Sequence, residues 1–372
     1  MKIGNKSRND LILAIVLVLV IVIFAGVKEG FLINSENGGF FNFFLVGFGK
    51  GNVNESLGIC EESYGFEPII YFCPKDDCFL AFSFFVNESY NLKCAFYDLD
   101  EEIFEIFDNK ADEFSLIKTF EGINGDEPKD RNSNISLVLE DSNCIDCEFC
   151  ICDYASALMH NKFCIFNDEV ILTGSTNPTK NGFFKNNNNM IIIKSKCLAK
   201  SFYDEFNELK RGILSKGTKS EIRRVIFSDG VILDNYFCPE DGCQKALLNV
   251  INGSNEICFA TFSFTDEKVA QSLIDVKLSG GEVFGTIEKR NANSLGSVFS
   301  LLNRSIDVRV DSNPNSMHHK IFVIDKKIVV TGSYNPTKNG NTRNDENMII
   351  IYDNETAIRY YEECINVYES GV

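Results

Sequence analysis

Apolar and polar positions alternate along the chain in short β-branched runs separated by longer segments with helical spacing. Glu256–Phe264 reads as a strand, Glu267–Leu278 as a helix ended by Gly280-Gly281, and Glu282–Ile287 as another strand, which makes a βαβ unit. Lys320–Ile324 and Lys327–Thr331 are short runs flanking a turn, and Lys162–Phe166 with Glu169–Thr173 repeats that arrangement. Helical spacing returns near Ala199–Leu214 and Glu355–Tyr368. Strands interleaved with covering helices predict an α/β class built on mixed sheets.

This pattern occurs twice. Tyr71-Phe72-Cys73-Pro74-Lys75-Asp76-Asp77-Cys78 returns as Tyr236-Phe237-Cys238-Pro239-Glu240-Asp241-Gly242-Cys243. Met159-His160-Asn161-Lys162 returns as Met317-His318-His319-Lys320, and fourteen residues beyond His160 and His318 comes a Gly-Ser-x-Asn-Pro-Thr-Lys-Asn-Gly segment, at Gly174 and at Gly332. Each copy runs through an Asn-rich loop into Asn-Met-Ile-Ile-Ile, at Asn189 and Asn347. A repeat this long points to two related halves, 68–215 and 216–372, rather than to one core with an incidental motif.

Ahead of the repeat, Leu11 to Val27 is an uncharged run of seventeen residues, at the lower limit for a helix that crosses a bilayer. Lys2, Lys6 and Arg8 lie in the basic flank 1–10, so the expectation is a single-pass anchor with the N-terminus inside and the body extracytoplasmic. A cleaved signal peptide satisfies the same pattern. A Gly- and Phe-rich segment follows within the stretch 28–67, read as a linker.

Composition changes this picture at two points. The net charge of -17 opposes sequence-independent binding of a polyanion, although Lys162, Lys180 and Lys185 near one motif and Lys320, Lys326, Lys327, Lys338 and Arg343 near the other leave room for a basic cleft. Fourteen cysteines are many for a reducing cytoplasm and agree with an exported body. Cys73 with Cys78, and Cys238 with Cys243, read as structural pairs. Cys144, Cys147, Cys150 and Cys152 form a tight cluster for which disulfides, within it or to Cys164, are favoured over zinc.

The chain has three histidines, His160, His318 and His319, and two of them hold equivalent places in the repeat. Splitting a phosphodiester takes a nucleophile, a proton for the leaving alkoxide and positive groups near the non-bridging oxygens. Two histidines, two lysines and two Ser/Asn pairs supply that set. Residues two apart on an extended segment share a face, so His and Lys point together, while His319 faces away.

The double HxKx4D and GSxN pattern resembles the phospholipase D superfamily, and the short halves are most similar to its compact branch of cardiolipin hydrolases and Zucchini-type endonucleases. That resemblance implies one site where the halves meet across a pseudo-twofold axis. It also implies a phosphohistidine intermediate, no metal or other cofactor, and no obligate protein partner. Carried over, His160 and His318 share the nucleophile and acid roles, while Lys162, Lys320, Ser175, Asn177, Ser333 and Asn335 hold the phosphate. Asn167 stands where the second copy has Asp325, which bears on stability more than on chemistry. Glu346 lies twenty-eight residues after His318 where Asn188 follows His160, so the expectation makes His318 the carboxylate-supported histidine and acid, and His160 the nucleophile. Whether Glu346 serves its own half or reaches across is open at this level.

A membrane tether favours phospholipid headgroups as substrate; RNA or single-stranded DNA is the alternative, headgroup transfer to a second alcohol a third outcome, and a binding scaffold that has lost the reaction a fourth.

Overall fold

Apolar runs of four to seven residues flanked by turns become the strands of two sheets in the computed structural model, which describes residues 52–54, 58–122, 135–140, 145, 147–153, 157–292 and 298–372. The expected anchor Leu11–Val27 lies outside the described residues, as do its basic flank and most of the 28–67 stretch. Among the described residues no helix is long and apolar enough to cross a membrane.

Strands β1 (Asn52–Asn54) and β2 (Ile59–Glu61) precede the first half. That half carries β3 (Ile69–Cys73), β4 (Leu92–Phe96), β5 (Ile135–Glu140), β6 (Cys150–Asp153), β7 (Lys162–Phe166), β8 (Val170–Gly174) and β9 (Asn188–Lys194). The second carries β10 (Arg224–Ile226), β11 (Ile232–Cys238), β12 (Glu256–Thr261), β13 (Glu282–Ile287), β14 (Asp307–Val310), β15 (Lys320–Ile324), β16 (Ile328–Gly332) and β17 (Glu346–Tyr352).

One sheet runs β3-β9-β8-β7-β4-β5-β6, and the other ends in the same order, β11-β17-β16-β15-β12-β13-β14. The duplication read in the residues is thus a duplication of topology. β1, β2 and β10 extend the second sheet, with β2 parallel to β10, so a strand from the 28–67 stretch pairs inside the second half. The βαβ unit is as expected: β12 and β13 pair in parallel, and the helix Glu267–Leu278 between them starts at Asp266, whose side chain accepts from the Lys268 and Val269 amides.

Strands β7, β8 and β15 are buried along their whole length, which accounts for continuous apolar runs where a half-exposed strand would alternate. One apolar cluster takes Phe163, Ile165, Ile191 and Phe202 from the first half together with Ile321, Val323, Ile349 and Tyr360 from the second. The halves therefore share a core. Over it lie the helices Lys196–Lys210 and Asn354–Ser370, capped by Ser195 and Asp353. The first starts ahead of the expected Ala199 because the Ser195 hydroxyl satisfies the Leu198 amide.

The turns of the two motif hairpins need left-handed backbone, with φ of 56° at Asn167 and Asp168 and of 52° and 53° at Asp325 and Lys326. Asp325 Oδ1 accepts the Asn255 and Glu256 amides, each at 2.8 Å, and Asn167 Oδ1 accepts those of Tyr90 at 2.8 Å and Asn91 at 3.1 Å. An amide oxygen does the carboxylate's structural work, so this departure from the motif leaves the turn intact.

Every described cysteine is disulfide-bonded. The expected pairs Cys73–Cys78 and Cys238–Cys243 form, joined by Cys60–Cys197, Cys94–Cys164 and Cys258–Cys364. Cys147–Cys150 closes within the tight cluster and Cys152 is bonded as well, so these sulfurs are not thiolates for zinc. Cys164 pairs with Cys94, its direct cross-strand neighbour between β4 and β7, and not with the cluster.

Gly174 and Gly332 close β8 and β16 at φ of 141° and 138°, where an added Cβ would stand 2.2 Å from the Asn189 carbonyl oxygen and 2.3 Å from that of Asn347. Gly332→Ala should therefore cost about 3 kcal/mol or more. Gly280→Ala, where nothing lies within 4 Å, should cost about 1 kcal/mol. Urea midpoints of the two variants test the difference; equal losses would contradict it.

Candidate active site

Each HxK segment reaches its strand by crossing to the other half. The His160 amide donates to the Asp345 carbonyl at 2.9 Å and the Asp345 amide to that of Leu158 at 2.9 Å. In the equivalent place the His318 amide donates to the Asn187 carbonyl and the Asn187 amide to that of Ser316, each at 2.9 Å. These paired exchanges put His160 beside the start of β17, and His318 beside the start of β9.

Both histidines line one cleft of about 670 Å³. Asn177 and Asn335 line it too, with Tyr97, Phe262, Lys338 and a wall of Asn and Thr side chains. Behind this surface, Lys162 and Lys320 are buried, and each Nζ donates at 2.8 Å to the carbonyl of its own motif histidine. Tyr97 and Phe262 flank them: their centroids lie 5.1 Å and 5.0 Å from the two lysine nitrogens, and 4.9 Å and 4.6 Å from the rings of His160 and His318.

Glu346 supports the histidine of the other half. Its Oε2 meets His160 Nδ1 at 2.7 Å, which corrects the expectation that it would serve His318. The cause is the crossing: β16 stands between β17 and β15, whereas the Asp345 exchange brings His160 alongside. His318 Nδ1 instead faces two neutral acceptors, Asn188 Oδ1 at 2.9 Å and the Ser175 carbonyl at 3.1 Å. Both rings then hold Nδ1 as the bonded nitrogen, which leaves Nε2 for chemistry.

The two motif serines also stand elsewhere than expected. Ser333 Oγ donates to Glu346 Oε2 at 2.7 Å and Ser175 Oγ to Asn188 Oδ1 at 3.0 Å, and both serines are fully buried. They orient the groups that orient the histidines, and neither is among the residues that line the cleft. His319 faces away from the cleft as expected, with Nδ1 3.2 Å from Asn189 Nδ2 and Nε2 3.3 Å from Glu363 Oε1.

Sequence reasoning passed over Glu140 and Glu288, which accept the Met159 and Met317 amides at 2.7 Å and 2.8 Å and so fix the residue before each histidine. Glu140 is the last residue of β5 and Glu288 the first beyond the equivalent β13, but Glu140 is twenty residues before His160 and Glu288 thirty before His318, and an unequal offset hides the match. It passed over Asn189 and Asn347 as well, whose side chains reach across to Thr331 and Thr173.

The site is buried and crowded with cations. Burial, then Lys162 and Lys320, holds His160 well below the ordinary imidazole range; burial, then Lys320, Lys162 and His160, does the same to His318. Burial lowers Lys162 to about 7 against the pull of Glu346, and burial, then Lys162, holds Lys320 well below its usual value. Glu346 is pushed up to about 8 by burial, opposed first by Lys162. A bound anion would relieve most of these costs together, so the arrangement suits a phosphate ester.

A family model described as "Cardiolipin synthase, PLD-like domain" matches residues 125–210 and 247–367. Phospholipase D of Rickettsia felis is 35% identical over 132 residues, which cover 35% of this chain and 66% of that protein. Mouse mitochondrial cardiolipin hydrolase is 39% identical over 126 residues, 34% of this chain and 56% of that one. The chain thus spans less than two thirds of either relative's length. The solved structure of Haemophilus influenzae phosphatidylserine synthase is similar with a TM-score of 0.59, covering 82% of this chain and 87% of its own at 11% identity, a likeness of fold alone.

The lowered Lys162 gives a pH test. Between about 7 and its ordinary 10.5 the unfolded chain binds a proton that the native state does not, so native stability rises with pH across that window. Lys162→Met removes this cost and should be more stable than the parent near pH 7 by up to about 4 kcal/mol, with the advantage shrinking toward pH 10. Urea midpoints at both pH values measure it; an advantage independent of pH would contradict the depressed value.

Proposed function

Because the chain belongs to the phospholipase D-like family, we propose that it is a phosphodiesterase that hydrolyses phospholipid headgroup diesters through a phosphohistidine intermediate at one site formed across a pseudo-twofold axis. The observation that carries this reading is the 2.7 Å contact between Glu346 and His160 Nδ1. Although burial raises Glu346 in the empty site, the positive charge that the His160 ring acquires on bonding to phosphorus favours its carboxylate form, which accepts the Nδ1 proton and stabilises that charge.

In the proposed reaction His160 Nε2 attacks phosphorus, the bond from phosphorus to the headgroup oxygen breaks, and His318 Nε2 gives its proton to that oxygen. Water then loses a proton to His318 and attacks phosphorus, the phosphorus–nitrogen bond breaks, and phosphatidate leaves. His318 must be protonated at the start although burial and the lysines oppose it. The substrate's own negative charge offsets Lys162 and Lys320 and restores that proton. The polar cleft wall suits a headgroup diester with its acyl chains left outside. The apolar run Leu11–Val27 supports a membrane anchor, and disulfides at every described cysteine support an extracytoplasmic body.

Two measurements test the reading. Offered phosphatidylcholine, cardiolipin, single-stranded RNA and single-stranded DNA without metal, the protein should turn over lipid; turnover of nucleic acid alone would replace the substrate, and of nothing would leave a scaffold. With a nitrophenyl phosphodiester, whose leaving group needs little protonation, His318→Ala should keep phosphoenzyme formation and His160→Ala lose it. Glu346→Gln should slow it about 10²–10³-fold. Acid-labile phosphate mapped to His318 would reverse the roles.

A further inference from the structure

The two halves differ on the rim of the cleft. In the first, the helix Cys78–Asn87 sets Phe79 beside the short helix Lys180–Phe184, whose Asn181 and Gly182 line the cleft, and Leu80 follows Phe79 in the same helix turn. Phe79 packs at 5.8 Å on Phe183 and 5.6 Å on Phe184, and the patch is open to solvent, with Leu80 61% and Phe184 53% exposed.

The repeat supplies its own comparison. Aligning Cys78 with Cys243, and Gly174 with Gly332, sets Gln244 opposite Phe79, Lys245 opposite Leu80, Asn341 opposite Phe183 and Thr342 opposite Phe184. There the same corner is polar: Gln244 Nε2 and Asn341 Nδ2 both donate to Asp266 Oδ2 at 2.5 Å. The fold does not need aromatic residues at this corner, since its duplicate is built without them. The exposure of Leu80 and Phe184 at this corner in the first half calls for an occupant.

We propose that this rim is a lipid-docking surface, with Leu80 and Phe184 entering the headgroup–acyl boundary of an anionic bilayer so that the mouth of the cleft rests on the headgroup layer. Exposed Lys75, Lys180 and Lys185 fringe the patch, as a basic border does on an interfacial surface. Lys180 is paired with Glu102, while Asp76 and Asp77 are engaged by the Phe72 and Leu80 amides. Two large exposed side chains offer at most roughly 150–250 Å² each, well short of the ~800 Å² per partner of a stable protein interface. A lipid surface needs no such area, because a tethered body meets the bilayer at high effective concentration. The proposal rests on the phospholipid reading for its purpose, but not for its test.

The chain contains no tryptophan, so a single introduced indole reports its own surroundings. Full-length Phe184→Trp and Thr342→Trp are reconstituted into phosphatidylglycerol/phosphatidylcholine vesicles that contain brominated acyl chains. Quenching should be several-fold at position 184 and near background at 342. Equal quenching at both, or none at 184 because the chain's own N-terminal segment or a second copy covers it, overturns the proposal. The pair Leu80→Lys with Phe184→Thr transplants the second half's residues. It should lower turnover of vesicle lipid by about tenfold and leave a soluble nitrophenyl diester unchanged; an equal loss on both substrates overturns the docking role. Quenching at 184 without any lipid turnover would retire the substrate reading and leave the docking surface standing.

Discussion

The structure depends on two reciprocal backbone exchanges, Leu158–His160 with Asp345 and Ser316–His318 with Asn187. Each is a pair of hydrogen bonds between halves, and each fixes the segment that leads into a motif strand. Buried backbone groups must be paired, so neither half can satisfy its own HxK lead-in alone. The histidines face one cleft because the chain segments that carry them are each held by the opposite half.

From that constraint follows the inequality of the histidines. Asp345 is held beside His160, and the next residue, Glu346, is thereby delivered to His160 Nδ1; Asn187 is held beside His318 and delivers Asn188. One substitution between repeats, glutamate against asparagine, becomes one ring with an ionisable partner and one with neutral partners. Ser333 and Ser175 repeat the distinction one layer back, each donating to whichever group the repeat has placed there.

The buried lysines are the cost of this design. Burial of Lys162 and Lys320 lowers their proton affinity, and burial of the histidines, then the nearby lysine charges, lowers that of His160 and His318, which disfavours the empty site and favours one that holds an anion. The aromatic faces of Tyr97 and Phe262 beside these lysines soften that cost without adding charge that would compete with a phosphate. Outside the motif residues the duplicated halves are free to diverge. They do so at the rim, where Phe79, Phe183 and Phe184 stand against a polar network around Asp266.

The residues by themselves determined the α/β class, the duplication, the hairpins at Lys162 and Lys320, the helix Glu267–Leu278 and the short cysteine pairs, because each of these rests on local periodicity or on a fixed spacing. They also identified His160, Lys162, His318 and Lys320, whose offsets survive in both copies. Only the tertiary structure decided that Glu346 serves His160 and that Ser175 and Ser333 work behind the cleft. It alone showed that Cys164 meets Cys94, and that Glu140 and Glu288 clamp equivalent amides at unequal offsets. Each of those contacts depends on which strand lies beside which, and on the exchange between halves. Strand order is set by burial of the shared core, a property that no local spacing encodes.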